Sequence, residues 1–338
     1  MAAPRNEAEL EERLSRPPEW LADSLASIAG DILVLGAGGK MGPSLTRMAK
    51  RANPSRRVVA ASRWNDAAAA DALRRDAVEV VSADLLDPRA LANLPDAPNV
   101  VFMAGQKFGT ASSPASTWAM NAAVPAFVAE RYAGSRTVVF STGNVYALTA
   151  SDSGGSREDD PPSPIGEYAS SCLARERLFS AAAARHGSPV AVVRLNYAHD
   201  LRYGVLTDLA ARIARHEPID LRMSFVNVIW QGDANAVALA LLAHATAPEP
   251  FVLNVAGPGT LRVADLAREL GKRLDIEPVF SGAESGDALL SNASRMRDIF
   301  PEALLPVETL LDWVTSWIQD DGRLLGKPTQ FEKRDGKF

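Results

Sequence analysis

A glycine-rich turn lies between a short apolar run and an alanine-rich helical segment. The run 32–35 leads directly into the turn 36–42, GAGGKMG, whose glycines at 36, 39 and 42 follow the GxxGxxG spacing. Glycine lets a backbone turn tightly and approach a ligand closely, and a following helix offers N–H groups and a positive dipole end to phosphates. In this context the motif predicts a dinucleotide-binding site rather than a tight connection without a ligand.

Short apolar runs alternate with helical segments from Asp31 to residue 195. We predict strands at 31–35, 57–62, 77–81, 99–104, 136–141 and 189–195, and helices at 40–51, 65–74, 88–93, 117–132 and 167–186. This alternation is typical of a parallel sheet covered by helices on both faces. We therefore predict an α/β, Rossmann-type doubly wound parallel sheet with a small C-terminal α/β substrate lobe.

After Asn196 the alternation of strands and helices becomes less regular. Residues 1–30, at the other end of the chain, have a separate helical pattern. Helices are expected near 204–215, 232–246, 262–274 and 307–318, and strands near 219–222, 226–229 and 251–255. We expect an N-terminal helical extension (1–30), an NAD(P)-binding domain (31–195), a mainly C-terminal substrate lobe (196–320) and a polar surface tail (321–338).

Charge and composition narrow the range of partners. The formal net charge is −5, and no block of like charges invites nucleic acid. No apolar run approaches the ~20 residues that span a bilayer, so we expect no membrane partner. The single cysteine, Cys172, favours a reducing compartment, and the cytoplasm is the expected location. The four histidines lack metal-ligand spacing, so we expect no metal.

The end of the second predicted strand bears on the choice of cofactor. An acidic residue there would bind the adenosine ribose of NAD, whereas an arginine would accommodate the 2′-phosphate of NADP. The strand ends in Ser62-Arg63, with no carboxylate. NADP is therefore the preferred cofactor over NAD, although Arg63 could equally be a solvated charge or stack on adenine.

Further segments follow the glycine turn in a characteristic order. They are 82–85 (SADL), 101–107 (VFMAGQK), 118–121 (WAMN), 140–146 (FSTGNVY), 158–162 (EDDPP), 167–168 (EY) and 194–197 (RLNY). From about residue 31 to 317 the chain resembles the extended short-chain dehydrogenase/reductase superfamily, in its NAD-dependent epimerase/dehydratase family, which includes UDP-galactose 4-epimerase.

The resemblance assigns roles to particular residues. Thr142 and Tyr168 match the catalytic positions, and Thr142 and Asn196 would contact the substrate. Together with the glycine turn and the strand end, the expected cofactor-binding residues are Gly36, Gly39, Lys40, Met41, Gly42, Ser62, Arg63, Asp84, Leu85, Ala104, Gly105, Lys107, Asn121 and Tyr168.

The resemblance also implies an activity and an assembly. It implies an NAD(P)-dependent epimerase, dehydratase or reductase that acts on a sugar, a nucleotide sugar or a related hydroxy or keto compound. The segments 117–132 and 167–186 occupy places where the family forms a homodimer through a four-helix bundle.

One catalytic position departs from the family pattern. The lysine four residues after the catalytic tyrosine is replaced by Cys172. A unit charge ~4 Å away at an effective dielectric near ~20 is worth ~4 kcal/mol, so its loss should leave Tyr168 largely protonated at neutral pH. Cys172 itself is expected to be a buried thiol rather than a nucleophile, because no histidine lies near it in sequence.

Three interpretations of this departure stay open. Lys107 could supply the missing charge, and it is better placed than Arg175, which lies ~10 Å along the helix axis from Tyr168. Tyr168 could instead act as a neutral donor with Thr142 in an isomerisation, dehydration or carbonyl reduction. Finally, the protein could be a non-catalytic NAD(P)-binding sensor or regulatory protein.

Overall fold

Seven parallel strands form the central sheet of the computed structural model, which describes residues 2–110, 112–302, 304–327 and 329–337. In chain order the strands are β1 (Ile32–Leu35), β2 (Val58–Ser62), β3 (Glu79–Ser82), β4 (Asn99–Phe102), β5 (Arg136–Thr142), β6 (Val190–Leu195) and β7 (Phe251–Val255). Their order across the sheet is β3-β2-β1-β4-β5-β6-β7, and every neighbouring pair is parallel. The predicted doubly wound α/β fold is confirmed.

The centre of this sheet is apolar on both faces. Every residue of β1 and of β4 is buried, as expected for strands with helices above and below. β1 pairs with β2 on one side and with β4 on the other. The chain therefore reverses its direction of travel across the sheet between β1 and β4, and a crevice opens beyond the carboxyl ends of these strands.

The strand β7 has a different place from the one expected. The sequence grouped residues 251–255 with the later elements, yet this strand completes the main sheet, where Leu253 pairs with Val193 of β6. A five-residue apolar run looks the same in any buried parallel strand. Its neighbour is determined by packing across a connection of more than fifty residues, which the local pattern does not reveal.

Helices flank the sheet and build the remainder of the molecule. They are α1 (Glu7–Leu14), α2 (Glu19–Ala26), α3 (Gly42–Ala52), α4 (Ala67–Arg75), α5 (Pro88–Ala92), α6 (Pro114–Trp118), α7 (Val124–Arg131), α8 (Gly166–His186), α9 (Val205–Ala214), α10 (Gln231–Ala240), α11 (Val263–Leu274), α12 (Ser294–Ile299) and α13 (Val307–Gln319). Across the described ranges, no helix has the length and apolar character needed to cross a membrane.

Short elements complete the chain. The single helix expected at 117–132 is in fact α6, a π-turn (Ala119–Ala123) and α7. Short 3-10 turns occur at Gly143–Val145 and Leu241–His244, and two-residue strands occur at Thr149–Ala150, Ala198–His199, Ile219–Asp220, Phe225–Val226, Ile229–Trp230, Leu261–Arg262, Phe280–Ser281 and Asp287–Ala288.

The two N-terminal helices join the sheet to the smaller lobe. Leu10 and Leu14 of α1 are buried in the core of the lobe, whereas Leu21 and Leu25 of α2 are buried in the core beside the sheet. The side chain of Asn6 caps α1 by accepting a hydrogen bond from the backbone N–H of Glu9 at 2.9 Å. The N-terminal extension is thus packed into both cores.

The C-terminal segment is not confined to the surface, as its polar composition had suggested. Phe331 is buried in the core of the lobe, where α9, α11 and α13 pack together. The backbone N–H and the hydroxyl of Thr329 both donate to Asp208, at 2.7 and 2.6 Å. Phe331 and Thr329 thus attach this segment to elements that are distant in the sequence, and nothing in its local pattern indicates those partners.

Candidate functional site

Two joined cavities occupy the crevice at the carboxyl ends of the strands. The first has a volume of about 610 Å³ and the second about 410 Å³, and both are lined by Gly36, Gly39, Met103 and Gly105. The shared residues belong to the loops that follow β1 and β4, where the chain changes its direction across the sheet. The crevice therefore offers one elongated site that passes over the glycine turn.

The glycines of this turn are required for different reasons. Gly36 has a φ of 86°, and a Cβ there would lie 2.5 Å from the backbone nitrogen of Ala104. A Cβ on Gly42 would lie 2.2 Å from the carbonyl oxygen of Ala37. A Cβ on Gly39 would approach only the carbonyl oxygen of Gly36, at 3.4 Å. The fold thus demands Gly36 and Gly42, whereas Gly39 leaves bare backbone toward both cavities, as a closely bound phosphate requires.

The helix after the turn begins at the floor of the crevice. α3 starts at Gly42, and no side chain caps its first turn. Lys40, Met41 and Gly42 line the first cavity. The N–H groups of the first helical turn and the positive end of the helix dipole can therefore serve an anionic ligand.

The second cavity has the lining expected for an adenosine. Ser62 ends β2 and Arg63 follows it, Asp84 and Leu85 follow β3, and Ala104 and Gly105 follow β4; all six residues line the cavity. The indole nitrogen of Trp64 donates to the carbonyl oxygen of Val81 at 2.7 Å and fastens the end of β2 to its neighbour. The carboxylate of this cavity belongs to Asp84, after the third strand and not the second.

Asn121 lies behind the loop that follows β4. Its amide oxygen accepts from the backbone N–H of Gln106 at 2.8 Å and from Arg175 at 2.9 Å. Its amide nitrogen donates to the carbonyl oxygen of Gln106 at 2.9 Å and to Ser171 at 3.0 Å. All four hydrogen-bonding positions of the amide are in use. Asn121 therefore shapes the cavity wall through Gln106 instead of offering its own polar atoms to a ligand.

Tyr168 and Thr142 meet in the first cavity, and Cys172 lies next to them. The Tyr168 hydroxyl is hydrogen-bonded to Thr142 and to Cys172. The Thr142 hydroxyl accepts from the backbone and side-chain nitrogens of Asn144, at 3.2 and 3.0 Å. Burial raises the pKa of Tyr168 above its usual value, and it also raises the pKa of the Cys172 thiol. At neutral pH the phenol is therefore protonated.

Arg175 reaches back along α8 toward this pair. Its guanidinium donates to the carbonyl oxygen of Phe140 at 2.7 Å and to Asn121, and the residue is buried. Its positive charge lowers the pKa of Tyr168, although burial has the larger, opposite effect. Side chains on a helix lean toward its N-terminus, which explains why a residue seven positions later acts on Tyr168. The preference for Lys107 over Arg175 was based on the ~10 Å between Tyr168 and Arg175 along the helix axis. That distance does not include the length of the Arg175 side chain, which extends toward Tyr168.

Lysines approach the same cavity from two sides. Lys107 follows β4, burial lowers its pKa to about 8, and its charge lowers the pKa of Cys172. Burial also lowers the pKa of Lys40 to about 8. The Lys40 ammonium lies 3.5 Å from the carbonyl oxygen of Ala198 and 4.1 Å from the centroid of the Tyr203 ring.

The lobe supplies the remaining wall. Asn196 lines the first cavity, and its amide nitrogen donates to Asn227 at 3.0 Å and to the carbonyl oxygen of Leu289 at 3.3 Å. Sequence reasoning missed the lining residues Asn144, Tyr203, Leu325, Lys327 and Thr329. Asn144 lies in the FSTGNVY segment and could have been included, whereas the C-terminal residues gave no local signal.

Comparison with known proteins agrees with this geometry. The model of the NAD dependent epimerase/dehydratase family matches residues 32–256. Comparison with curated proteins finds no match. Many solved structures share the fold.

Three of these structures illustrate the likeness. MoeE5 in complex with UDP-glucose and NAD is 22% identical, with a TM-score of 0.69 over 86% of this chain and 99% of that one. UDP-glucuronic acid 4-epimerase from Bacillus cereus, in complex with UDP-glucuronic acid and NAD, is 17% identical, with a TM-score of 0.70 over 86% and 99%. dTDP-glucose 4,6-dehydratase from Bacillus anthracis, in complex with NAD, is 16% identical, with a TM-score of 0.73 over 87% and 97%.

Proposed function

The chain belongs to the NAD-dependent epimerase/dehydratase family, and from this premise we propose that it binds NADP(H) in the two joined cavities and reduces a carbonyl group with Tyr168 as the proton donor. The observation that carries the proposal is the neutral Tyr168, hydrogen-bonded to Thr142 beside the glycine turn. An acid in this position suits reduction of a keto group, whether in a free substrate or in a keto intermediate of epimerisation or dehydration.

The residues present fit the cofactor. The uncapped start of α3 and the bare backbone of Gly39 would hold the pyrophosphate. Asp84 and Leu85 would contact the adenine side, and Ser62 and Arg63 would face the ribose, where the arginine favours the 2′-phosphate of NADP. Binding of the related dinucleotide NAD is the alternative.

The chemistry then divides between cofactor and chain. When bound, the reduced cofactor would supply a hydride for the carbonyl carbon. Tyr168 gives its hydroxyl proton to the carbonyl oxygen, so that the product is an alcohol. Burial disfavours the resulting phenolate, and the charge of Arg175 and the hydrogen bond from Thr142 offset part of that cost, because both favour the charged form of Tyr168.

The substrate belongs to the side of the cavity built by the lobe. We propose that residues 31–195 hold the cofactor, and that residues 196–320 together with the C-terminal segment hold the substrate. The proposed substrate class is a sugar, a nucleotide sugar or a related keto compound, supported by family membership and by Asn196 in the cavity wall.

A direct test compares wild-type protein with Tyr168→Phe and Thr142→Ala. Keto sugars and nucleotide keto sugars are screened while NADPH consumption is followed by nicotinamide absorbance. We expect consumption by the wild type and a fall of at least about a hundredfold in Tyr168→Phe, because general acid catalysis contributes ~10²–10⁴-fold. An unchanged rate in Tyr168→Phe would remove the proposed role.

A non-catalytic NAD(P)-binding protein is the second candidate. It is favoured by Cys172, which occupies the lysine position and is hydrogen-bonded to Tyr168. If NADPH binds but no substrate of these classes is reduced, while Cys172→Lys creates turnover, the sensor interpretation is preferred.

We also propose a cytoplasmic homodimer. Apolar side chains are exposed along the helices that the family uses for pairing: Trp118 at the end of α6, Phe127 on α7 and Ile165 just before α8 are 39%, 43% and 45% exposed. Covering them would remove apolar surface from water. Light scattering at micromolar concentration should show a dimer that Phe127→Glu dissociates, and a wild-type monomer would contradict the proposal.

A further inference from the structure

Three polar side chains are buried between α3 and α10. They are Ser44 of α3 and Gln231 and Asn235 of α10, and each is at most 2% exposed. Apolar side chains of the same two helices belong to one core cluster: Leu45, Met48, Ala234 and Ala238. Burial of polar groups in an apolar interface costs free energy unless every group has a partner, so this Ser44 network needs a physical reason.

The hydroxyl of Ser44 is the centre of the network. It accepts from the amide nitrogens of Gln231 and Asn235, each at 3.0 Å, and it donates to the carbonyl oxygen of Met41 at 3.0 Å. A hydroxyl has one donor and two acceptor positions, so all three are in use. Gln231 and Asn235 are four residues apart on α10 and reach Ser44 from one face of that helix. The Ser44 side chain is therefore held in a single orientation.

The two amides satisfy only half of their own hydrogen-bonding groups. Within the described ranges, the side-chain oxygens of Gln231 and Asn235 are buried and have no hydrogen-bond partner. Unpaired buried oxygens lower the free energy of unfolding, whereas apolar side chains of the same shape would carry no such cost. The stability of the interface therefore does not explain the network, and groups that break a packing rule in this way are typical of functional positions.

Ser44 stands directly behind the glycine turn. It is the third residue of α3, and Met41, whose carbonyl oxygen it bonds, precedes that helix and lines the first cavity. The same carbonyl oxygen accepts from the backbone N–H of Leu45 at 3.0 Å. The backbone N–H of Gly42 in turn donates to the carbonyl oxygen of Gly39 at 3.2 Å. These bonds connect the network to the backbone that we expect to face the pyrophosphate.

The other end of the network is anchored beside the lobe. α10 begins directly after the short strand Ile229–Trp230, which pairs with the short strand Ala198–His199. Ala198 lines the first cavity. The first turn of α10 is therefore fixed relative to the lobe wall, and its amides give the start of α3 a defined position relative to that wall.

We infer that Gln231 and Asn235 are positioning residues for the cofactor: through Ser44 they hold Met41 and the first turn of α3 in the arrangement that binds the pyrophosphate. The inference rests on the proposed function and assigns a part in it to three residues that line neither cavity. Groups that bind a phosphate must be held within about 0.5 Å of their working positions. A hydroxyl with all three positions bonded supplies that constraint at the start of α3.

The test replaces the network by apolar side chains of similar shape in the complete protein. The network variant combines Ser44→Ala, Gln231→Met and Asn235→Leu. The matched control is Thr46→Val, which removes another buried hydroxyl of α3, one that has no partner among the described residues and takes no part in the network. The measurements are thermal unfolding, NADPH affinity by nicotinamide fluorescence, and phosphorus NMR of bound NADP⁺.

The network variant should be as stable as the wild type or more stable, yet bind the cofactor less tightly. Its unfolding temperature should be equal or higher, because the unpaired amide oxygens are gone. Its affinity for NADPH should fall about tenfold, because the start of α3 is no longer held in place. The phosphorus resonances of the pyrophosphate should change, while that of the 2′-phosphate should not. Thr46→Val should bind NADPH like the wild type.

Several results would overturn the inference. A lower unfolding temperature of the network variant, or its failure to fold, would show that the network holds the fold together. Unchanged NADPH affinity would remove its role in cofactor binding. An equal loss of affinity in Thr46→Val, or a changed 2′-phosphate resonance, would indicate a general disturbance of α3. Failure of the wild type to bind either NADPH or NADH would instead refute the proposed function, so the two failures are distinguishable.

Discussion

Replacing Cys172 by lysine should lower the pKa of Tyr168, because a cation would then lie beside its hydroxyl. The two positions are four residues apart on α8, so their side chains share one face of the helix. A cation ~4 Å from the phenolate at an effective dielectric near ~20 is worth ~4 kcal/mol, about a thousandfold in the acid dissociation constant. Repulsion from Arg175 and Lys107 will reduce this gain, so a thousandfold is the upper bound.

The tyrosines of this chain make the change measurable without a substrate. Burial raises the pKa of all five of them: Tyr132, Tyr146, Tyr168, Tyr197 and Tyr203. Ultraviolet absorbance of the wild type should therefore show no tyrosinate until the pH exceeds the usual tyrosine pKa of ~10. A nearby cation favours the charged phenolate and lowers the pKa, so Cys172→Lys should show about one tyrosinate per chain at lower pH.

Two controls separate charge from packing. Cys172→Met has a side chain of comparable length without a charge, and it should titrate like the wild type. The double variant Cys172→Lys, Tyr168→Phe should lose the new signal. Because a buried ammonium costs several kcal/mol of stability, thermal unfolding must show that the variant is folded at the assay temperature. If folded Cys172→Lys titrates like Cys172→Met, the electrostatic account of the site is refuted.

Three further predictions concern the cofactor and the C-terminal segment. Gly39→Ala should cost little stability but weaken NADPH binding at least tenfold. Gly36→Ala should lower the unfolding temperature, because a positive φ and a close backbone contact oppose a Cβ there. Equal unfolding temperatures for the two variants would contradict this prediction. Arg63→Ala should weaken NADPH binding about tenfold and leave NADH binding unchanged, as fluorescence titrations would show. Thr329→Val removes a 2.6 Å hydrogen bond to the partly buried Asp208 and should loosen the C-terminal segment by ~1–3 kcal/mol, seen as faster amide exchange there and unaltered NADPH affinity.

Much of the fold follows from periodicity in the sequence. The six strands expected before residue 196 are all present. All of them except the edge strand β3 are largely buried, as strands with helices on both faces are. The position of β7 in the sheet could not be predicted from the sequence, because its pairing with β6 is made across a long connection. The interruption of the helix at 117–132 by a π-turn was also hidden, because Asn121 sits in that turn to bond the backbone of Gln106, a tertiary effect.

The site could be predicted from the sequence where its residues belong to the sequence motifs. Thr142, Tyr168 and the glycine turn line one cavity, as their order along the chain led us to expect. The reach of Arg175 depends on how its side chain leans along α8. Lys327 lies in the cavity wall because its segment is held by the hydrogen bond from Thr329 to Asp208, which is more than a hundred residues away. Such contacts come from packing between distant elements, and no local pattern encodes them.

The measurement that tests the account most directly is a titration of the purified wild-type protein with NADPH and NADH, followed by nicotinamide fluorescence. The account predicts saturable binding of one cofactor per chain, tighter for NADPH than for NADH and weakened in Gly39→Ala. Absence of binding by both cofactors, in a protein shown to be folded, would contradict it and remove the basis for both the reductase proposal and the substrate class.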